Sequence, residues 1–173
     1  RVVPMLPEAL SNGLCSLRPN EDRACLAVEI IIDSEGRKRS HKFIRGLMQS
    51  KARVTYQELQ SEFDMKDHKK DQESLIAKLA TPLYGAFFAL LKARTNRGAL
   101  DIEVPEMQVQ LSTSGQIEAI TNRERLNSHR LIEEFMVLAN VCAAETLENK
   151  KYTCVYRIHD VPSPEKLDGL RLT

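Results

Sequence analysis

The most regular pattern of hydrophobic and polar positions lies between Arg125 and Asp160. In its first part, apolar residues recur at the helical period and predict one long helix, for which Ser128 is the expected N-cap. Its wide apolar stripe consists of Leu131, Ile132, Phe135, Leu138, Ala139 and Cys142. A second group extends the apolar surface nearly all the way round: Met136, Val137, Val141 and Ala144. We therefore expect this helix to be buried in the middle of the protein.

Two polar residues, Glu133 and Asn140, interrupt this apolar pattern. At about 100° per residue they fall within roughly 20° of each other, away from the main stripe. Polar groups on a buried helix need hydrogen-bonding partners or a water-filled cleft. The pattern therefore has two interpretations: structural hydrogen bonds to neighbouring backbone, or a ligand channel along this side of the helix.

Alternating apolar segments predict strands before and after this helix. Residues 25–33 and 37–50 form a predicted hairpin around a turn at Asp33–Gly36. Shorter strands are predicted at Leu100–Val104, Met107–Leu111, Gln116–Ile120 and Thr153–His159. Ser163 and Pro164 then predict the start of a last helix. The order of elements favours an α+β fold, with a mixed, mostly antiparallel sheet packed with helices.

A capping box and a long helical pattern predict two more helices. Thr55 and Glu58 have the spacing of a capping box that opens a short helix. A longer helical pattern covers Ser74–Arg97 and ends at Gly98, which suits the residue after a helix end. Pro82 lies inside this second pattern, so we expect it to kink the helix or split it in two.

The returning strand of the hairpin is strongly basic. Its positively charged or titratable side chains are Arg37, Lys38, Arg39, His41, Lys42 and Arg45. The net charge of the whole chain is only +1, so any basic site must be a local patch of this kind. A solvent-exposed face is the usual meaning of such a run, and contact with phosphates is the functional alternative.

Composition sets limits on the class of protein. The 173 residues are 42% hydrophobic and 28% charged, as in an ordinary soluble globular domain. The four cysteines show no C-x-x-C spacing, so we expect buried free thiols and a cytoplasmic location. The sequence shows no signal peptide and no apolar run of membrane length, so no membrane contact is expected. It also contains no glycine-rich phosphate loop, no complete catalytic motif and no metal-ligand spacing of His or Cys.

Five segments, taken together, resemble the catalytic RNB domain of the ribonuclease II and ribonuclease R family. They are PMLPEALSNGLCSLRPNEDR, the D-x-x-G hairpin that follows it, SKARVTY, RLNSHRLIEEFMVLAN and YRIHDVPSPEKL. They occur in the family's order and spacing and span nearly the whole chain. The LYGAFFALLKAR segment and the RGAL after it look more like ribonuclease R than ribonuclease II.

This resemblance implies a processive 3′-to-5′ exoribonuclease, which threads single-stranded RNA down a channel to a magnesium site and releases nucleoside monophosphates. Tyr56 and Glu133 match family positions that line the channel near the RNA 3′ end and help to distinguish ribose from deoxyribose. Ile102 falls where the family has a base-stacking phenylalanine. Isoleucine can pack on a base but offers no π-face for stacking.

The chain resembles only the central part of that catalytic domain, and we expect residues 1–173 to be a single partial domain, truncated at both ends. The family's acidic metal ligands would precede Arg1, and its transition-state arginine would follow Thr173. We therefore expect Mg²⁺ to be bound by residues outside this chain, with further RNA-binding domains flanking it, and no RNA hydrolysis by this chain alone. Two alternatives remain open: a catalytically inactive relative that binds RNA, and a purely structural segment.

Overall fold

The computed structural model describes residues 3–64, 74–101, 105–122 and 124–171. These residues form an α+β fold of helices and antiparallel hairpins, which confirms the predicted class. After a short π-helical segment, Ala9–Leu14, the elements are β1 (Asp22–Ile32), β2 (Lys38–Gln49), α1 (Tyr56–Asp64), α2 (Leu75–Asn96), β3 (Met107–Leu111), β4 (Ile117–Asn122), α3 (Asn127–Asn149) and α4 (Pro164–Arg171). The chain divides into two compact units, Arg1–Asn140 and Val141–Thr173.

The described strands form two separate two-stranded sheets rather than one mixed sheet. In the first sheet, β1 and β2 pair antiparallel, with Val28 opposite Phe43 and Ile30 opposite His41. In the second, β3 and β4 pair antiparallel around Gly115. One face of β1 lies towards α2 and α3, and together they enclose an apolar cavity of about 520 Å³.

The turn between β1 and β2 is closed by Asp33, as the sequence predicts. Its carboxylate accepts the backbone N–H groups of Glu35 and Arg37, both at 2.9 Å. The bond from Arg37 is the main cause that lowers the pKa of Asp33 below its ordinary value. Gly36 is buried with a φ of +71°, a conformation that favours glycine.

The capping box predicted at Thr55 is present at the start of α1. Thr55 Oγ1 accepts the backbone N–H of Glu58 at 3.2 Å, and the Glu58 carboxylate accepts the N–H of Thr55 at 2.6 Å. Ser74 caps α2 by accepting the N–H of Ala77 at 3.0 Å. Pro82 lies inside α2 without splitting it, since the helix runs on to Asn96.

The core of the first unit forms where α1, α2 and α3 meet. Tyr84, Phe87 and Leu131 are fully buried, and the Phe63 ring stacks on Tyr84 with centroids 3.8 Å apart. By length and composition alone α2 could cross a membrane, so the statement that the sequence has no apolar run of membrane length is wrong. A core helix can pass the same test, and Tyr84 and Phe87 of α2 do pack with Phe63 of α1 and Leu131 of α3.

Two predictions about α3 are wrong. The helix starts at Asn127, so Ser128 lies in its first turn and is not the N-cap. The helix is also not buried all round, because one side is open: Met136, Val137, Asn140 and Val141 are exposed. A run of apolar residues shows that a helix can be buried, but the number of neighbouring elements decides how much of it is.

The prediction of a strand at Thr153–His159 is also wrong, because these residues have no regular secondary structure. A strand needs a neighbouring strand to take up its backbone hydrogen bonds. None pairs with this segment in the described part of the chain. Most of the strand predicted at Leu100–Val104 lies outside the described residues. The four cysteines are free thiols, as predicted, but of the four only Cys142 is buried and Cys15 is exposed, so the expectation that they are buried is wrong for the others.

Candidate functional site

Tyr56 and Glu133 lie on the same side of the first half of α3, and a third residue, His129, joins them. Tyr56 is the first residue of α1, and its side chain is half-exposed beside the N-terminal turn of α3. Its ring stacks on the imidazole of His129, with centroids 4.2 Å apart and planes inclined by 25°. Glu133 follows His129 by four residues on the same helix, so the two side chains are neighbours on one face.

The side chain of Gln60 determines how α1 meets α3. Its carbonyl oxygen accepts the backbone N–H of Ser128 and the hydroxyl of Tyr84, both at 3.1 Å. Burial raises the pKa of the Tyr84 hydroxyl, which therefore stays a neutral donor. One side chain thus connects three helices and holds the start of α1 next to the start of α3.

Glu133 is held by arginine side chains rather than by backbone groups. Its carboxylate is 2.6 Å from Arg125 Nη2 and 3.8 Å from Arg94 Nη1. Arg125 precedes the helix and Arg94 comes from the end of α2, so two separate segments fix the orientation of this carboxylate. The Glu133 side chain is nevertheless 44% exposed, which leaves part of the carboxylate open to a ligand.

Glu134 has a different environment from its neighbour. It is only 6% exposed, and its carboxylate accepts a hydrogen bond of 2.6 Å from Arg94. This hydrogen bond is the main cause that raises the pKa of Arg94 above its ordinary value. Glu134 therefore stabilises the junction of α2 and α3, while Glu133 faces the side that remains accessible.

Asp101 extends the same network of charges. Its carboxylate lies 2.7 Å from Arg130 and 3.9 Å from Arg125. Each of the three carboxylates in this network thus has an arginine partner.

The carboxylates of this network do not fit a Mg²⁺ site. Magnesium prefers carboxylates and water without competing cations, whereas Asp101, Glu133 and Glu134 are each neutralised by an arginine. In the described ranges, no group of three or more His, Cys, Asp or Glu side chains is placed to hold a metal ion.

The other predicted site residues have different outcomes. Ile102 lies outside the described residues. Asn140 is exposed, so the channel along Glu133 and Asn140 stays a prediction. On the basic strand β2, Arg39 forms an ion pair of 2.6 Å with Asp33 in the hairpin turn, and contact of this strand with phosphates stays a prediction as well.

Sequence reasoning did not identify His129 or Arg125. His129 had one usable signal, since a residue four positions before Glu133 must share its helix face. No signal in the sequence indicated its contact with Tyr56, because the two residues are far apart along the chain. Arg125 was visible only as a charge ahead of the helix.

Comparison with known proteins gives one consistent result. The profile of the RNB domain matches residues 1–172. Ribonuclease R of Escherichia coli (strain K12) is 39% identical over 175 residues, which cover 99% of this chain and 21% of the relative. The chain therefore spans about a fifth of the length of that curated relative.

Solved structures agree with the sequence comparison. Mycoplasma genitalium RNase R in complex with ribose methylated single-stranded RNA matches with a TM-score of 0.84 and 30% identity, over 98% of this chain and 26% of that chain. The complex of the same enzyme with double-stranded RNA matches with a TM-score of 0.82 and 30% identity, over 97% of this chain and 30% of that chain. The matched profile, the related sequence and the similar structures together show that this chain belongs to the RNB domain family.

Proposed function

We propose that this chain is part of the catalytic domain of a 3′-to-5′ exoribonuclease that degrades single-stranded RNA processively to nucleoside monophosphates. Its own residues would form the wall of the channel close to the RNA 3′ end. The observation that carries the proposal is the grouping of Tyr56 and Glu133 around His129 on one accessible side of α3. Similarity to a ribonuclease R bound to single-stranded RNA supports RNA as the ligand.

The chemistry of the two side chains suits a ribose. A carboxylate accepts hydrogen bonds at several lone pairs, so Glu133 can accept a ribose 2′-hydroxyl while it remains paired with Arg125. The Tyr56 ring provides a flat surface and a hydroxyl beside it. Deoxyribose has no 2′-hydroxyl to donate, and DNA would cover the carboxylate without supplying a hydrogen bond.

Magnesium would be bound by residues outside these 173. The carboxylates of the site are already paired with arginine, which supports this division of roles. When bound, the metal would polarise the phosphate and generate the attacking hydroxide. Further RNA-binding domains would flank the catalytic domain, since the related sequence is about five times longer. The free thiols are compatible with a cytoplasmic location.

The activity is tested with the full-length protein, Mg²⁺ and a labelled single-stranded oligoribonucleotide. We expect release of nucleoside monophosphates from the 3′ end, and full-length substrate alongside end product when excess unlabelled RNA is added as a trap. The 173-residue chain alone should release none. RNA that is bound but left intact would indicate the inactive RNA-binding relative, and absence of binding would indicate a structural segment.

Replacing Glu133 by alanine should reduce the preference of the full-length enzyme for RNA over DNA. The hydrogen bond to the 2′-hydroxyl is worth about 1–2 kcal/mol, so the preference should fall by about five- to thirtyfold. The measurement is the ratio of kcat/KM for matched RNA and DNA oligonucleotides. Glu134→Gln is the matched control, because Glu134 is buried against Arg94, and it should leave the ratio unchanged. An unchanged ratio in folded Glu133→Ala protein would assign Glu133 a structural role only.

A further inference from the structure

We propose that His129 is a positioning residue, which holds the Tyr56 ring beside the Glu133 carboxylate and so contributes to the preference for ribose. The inference deepens the proposed function and rests on it. His129 stacks on Tyr56 and lies four positions before Glu133 on α3. Three features of the structure support this role.

The first feature is that the imidazole of His129 is itself fixed. The backbone N–H of Leu126 donates a hydrogen bond of 3.2 Å to Nδ1, one turn back at the start of α3. This is the geometry of the second half of a capping box, with histidine in the place of the usual Glu or Gln. Nδ1 is the acceptor in this bond, and turning the ring plane away about the Cβ–Cγ bond would break it. The plane of the ring therefore has one favoured orientation.

The second feature is that the Tyr56 backbone is fixed while its ring is not. The capping box between Thr55 and Glu58 holds the first turn of α1, and Tyr56 is the first residue of that turn. Its side chain is 39% exposed. Among the described residues, His129 provides the one aromatic ring that packs against Tyr56. Without that ring, the tyrosine side chain can rotate away into solvent.

The third feature is the position of His129 on the helix. It lies four positions before Glu133, so the imidazole and the carboxylate share one face of α3. The carboxylate is fixed by Arg125, and the tyrosine ring is fixed by His129. Two recognition groups from different helices are thus held at a constant separation by side chains that need not touch the RNA.

The test uses two substitutions in the full-length enzyme that separate the two properties of His129. His129→Phe keeps a ring for stacking but loses the acceptor for Leu126. His129→Gln keeps an acceptor suited to a capping box but loses the ring. Loss of the free energy of one aromatic pair corresponds to a change of about two- to tenfold in a rate or equilibrium constant. His129→Gln should therefore reduce the RNA-over-DNA ratio of kcat/KM by about two- to tenfold. His129→Phe should retain most of the ratio.

A second measurement reports the position of Tyr56 without reference to activity. Fluorine NMR of fluorotyrosine-labelled protein, assigned with Tyr56→Phe, should show a changed Tyr56 resonance in His129→Gln and a nearly unchanged one in His129→Phe. A Tyr56 resonance that does not respond to His129→Gln would overturn the proposal. A shifted resonance with an unaltered RNA-over-DNA ratio would equally overturn it, as His129 would then be structural.

Failure of the proposed function gives a different result. In that case Glu133→Ala would leave the RNA-over-DNA ratio unchanged although Tyr56 still moves in His129→Gln. If Glu133→Ala lowers the ratio and His129→Gln does not, the proposed function stands and the role of His129 is rejected.

Discussion

Replacing Gly36 by alanine should lower the free energy of unfolding by about 2–5 kcal/mol. Gly36 has a φ of +71°, where a non-glycine residue costs about 1–2 kcal/mol. An added Cβ would also overlap the backbone carbonyl of Ala89 and lie 3.0 Å from the Ala93 Cβ, and such overpacking costs about 1–3 kcal/mol. The carbonyl belongs to α2 and cannot move without disturbing the helix. Denaturation by urea measures the loss.

Gly98→Ala is the matched control for this prediction. Gly98 has nearly the same φ, +72°, but no heavy atom lies within 4 Å of the position of its added Cβ. It should therefore lose only the conformational part, about 1–2 kcal/mol. The difference between the two variants measures how tightly the turn of the first hairpin packs on α2. Equal losses would show that this close approach does not exist in solution.

Arg94→Met should lower the free energy of unfolding by about 1–3 kcal/mol, because it leaves the carboxylate of Glu134 buried without its partner. Glu134 is 6% exposed and receives a hydrogen bond of 2.6 Å from Arg94. Methionine retains much of the packing of the arginine stem, so most of the effect should be electrostatic. Urea denaturation gives the loss.

Two further variants show whether this pair behaves as a buried one. Replacing both Arg94 and Glu134 by methionine should recover part of the stability lost in Arg94→Met, since no unpaired charge remains. Lys92→Met, on the same helix, breaks an exposed ion pair with Glu35 and should cost less than about 1 kcal/mol. If Arg94→Met and Lys92→Met have equal effects, the Arg94–Glu134 pair is solvated and does not join α2 to α3.

The local sequence pattern alone could not show whether Glu133 or Glu134 is available for a ligand. Helix geometry correctly separated Glu133 from the apolar stripe, and resemblance to the family selected the same residue. The reason that Glu134 is unavailable is Arg94, which lies on another helix. The stack of Tyr56 on His129 likewise joins α1 to α3. Contacts between distant segments leave no period in the sequence, so neither partner could be named in advance.

The sequence by itself determined the local elements: the capping box at Thr55, the end of α2 before Gly98 and both hairpins. These signals work because a side chain satisfies backbone groups within four residues, or because a backbone angle favours glycine. Tertiary structure alone decided which side of α3 is open, why residues 153–159 do not form a strand, and which groups surround Glu133. Each of these depends on what packs against the element, and burial, strand pairing and ion pairing are properties of two segments rather than one.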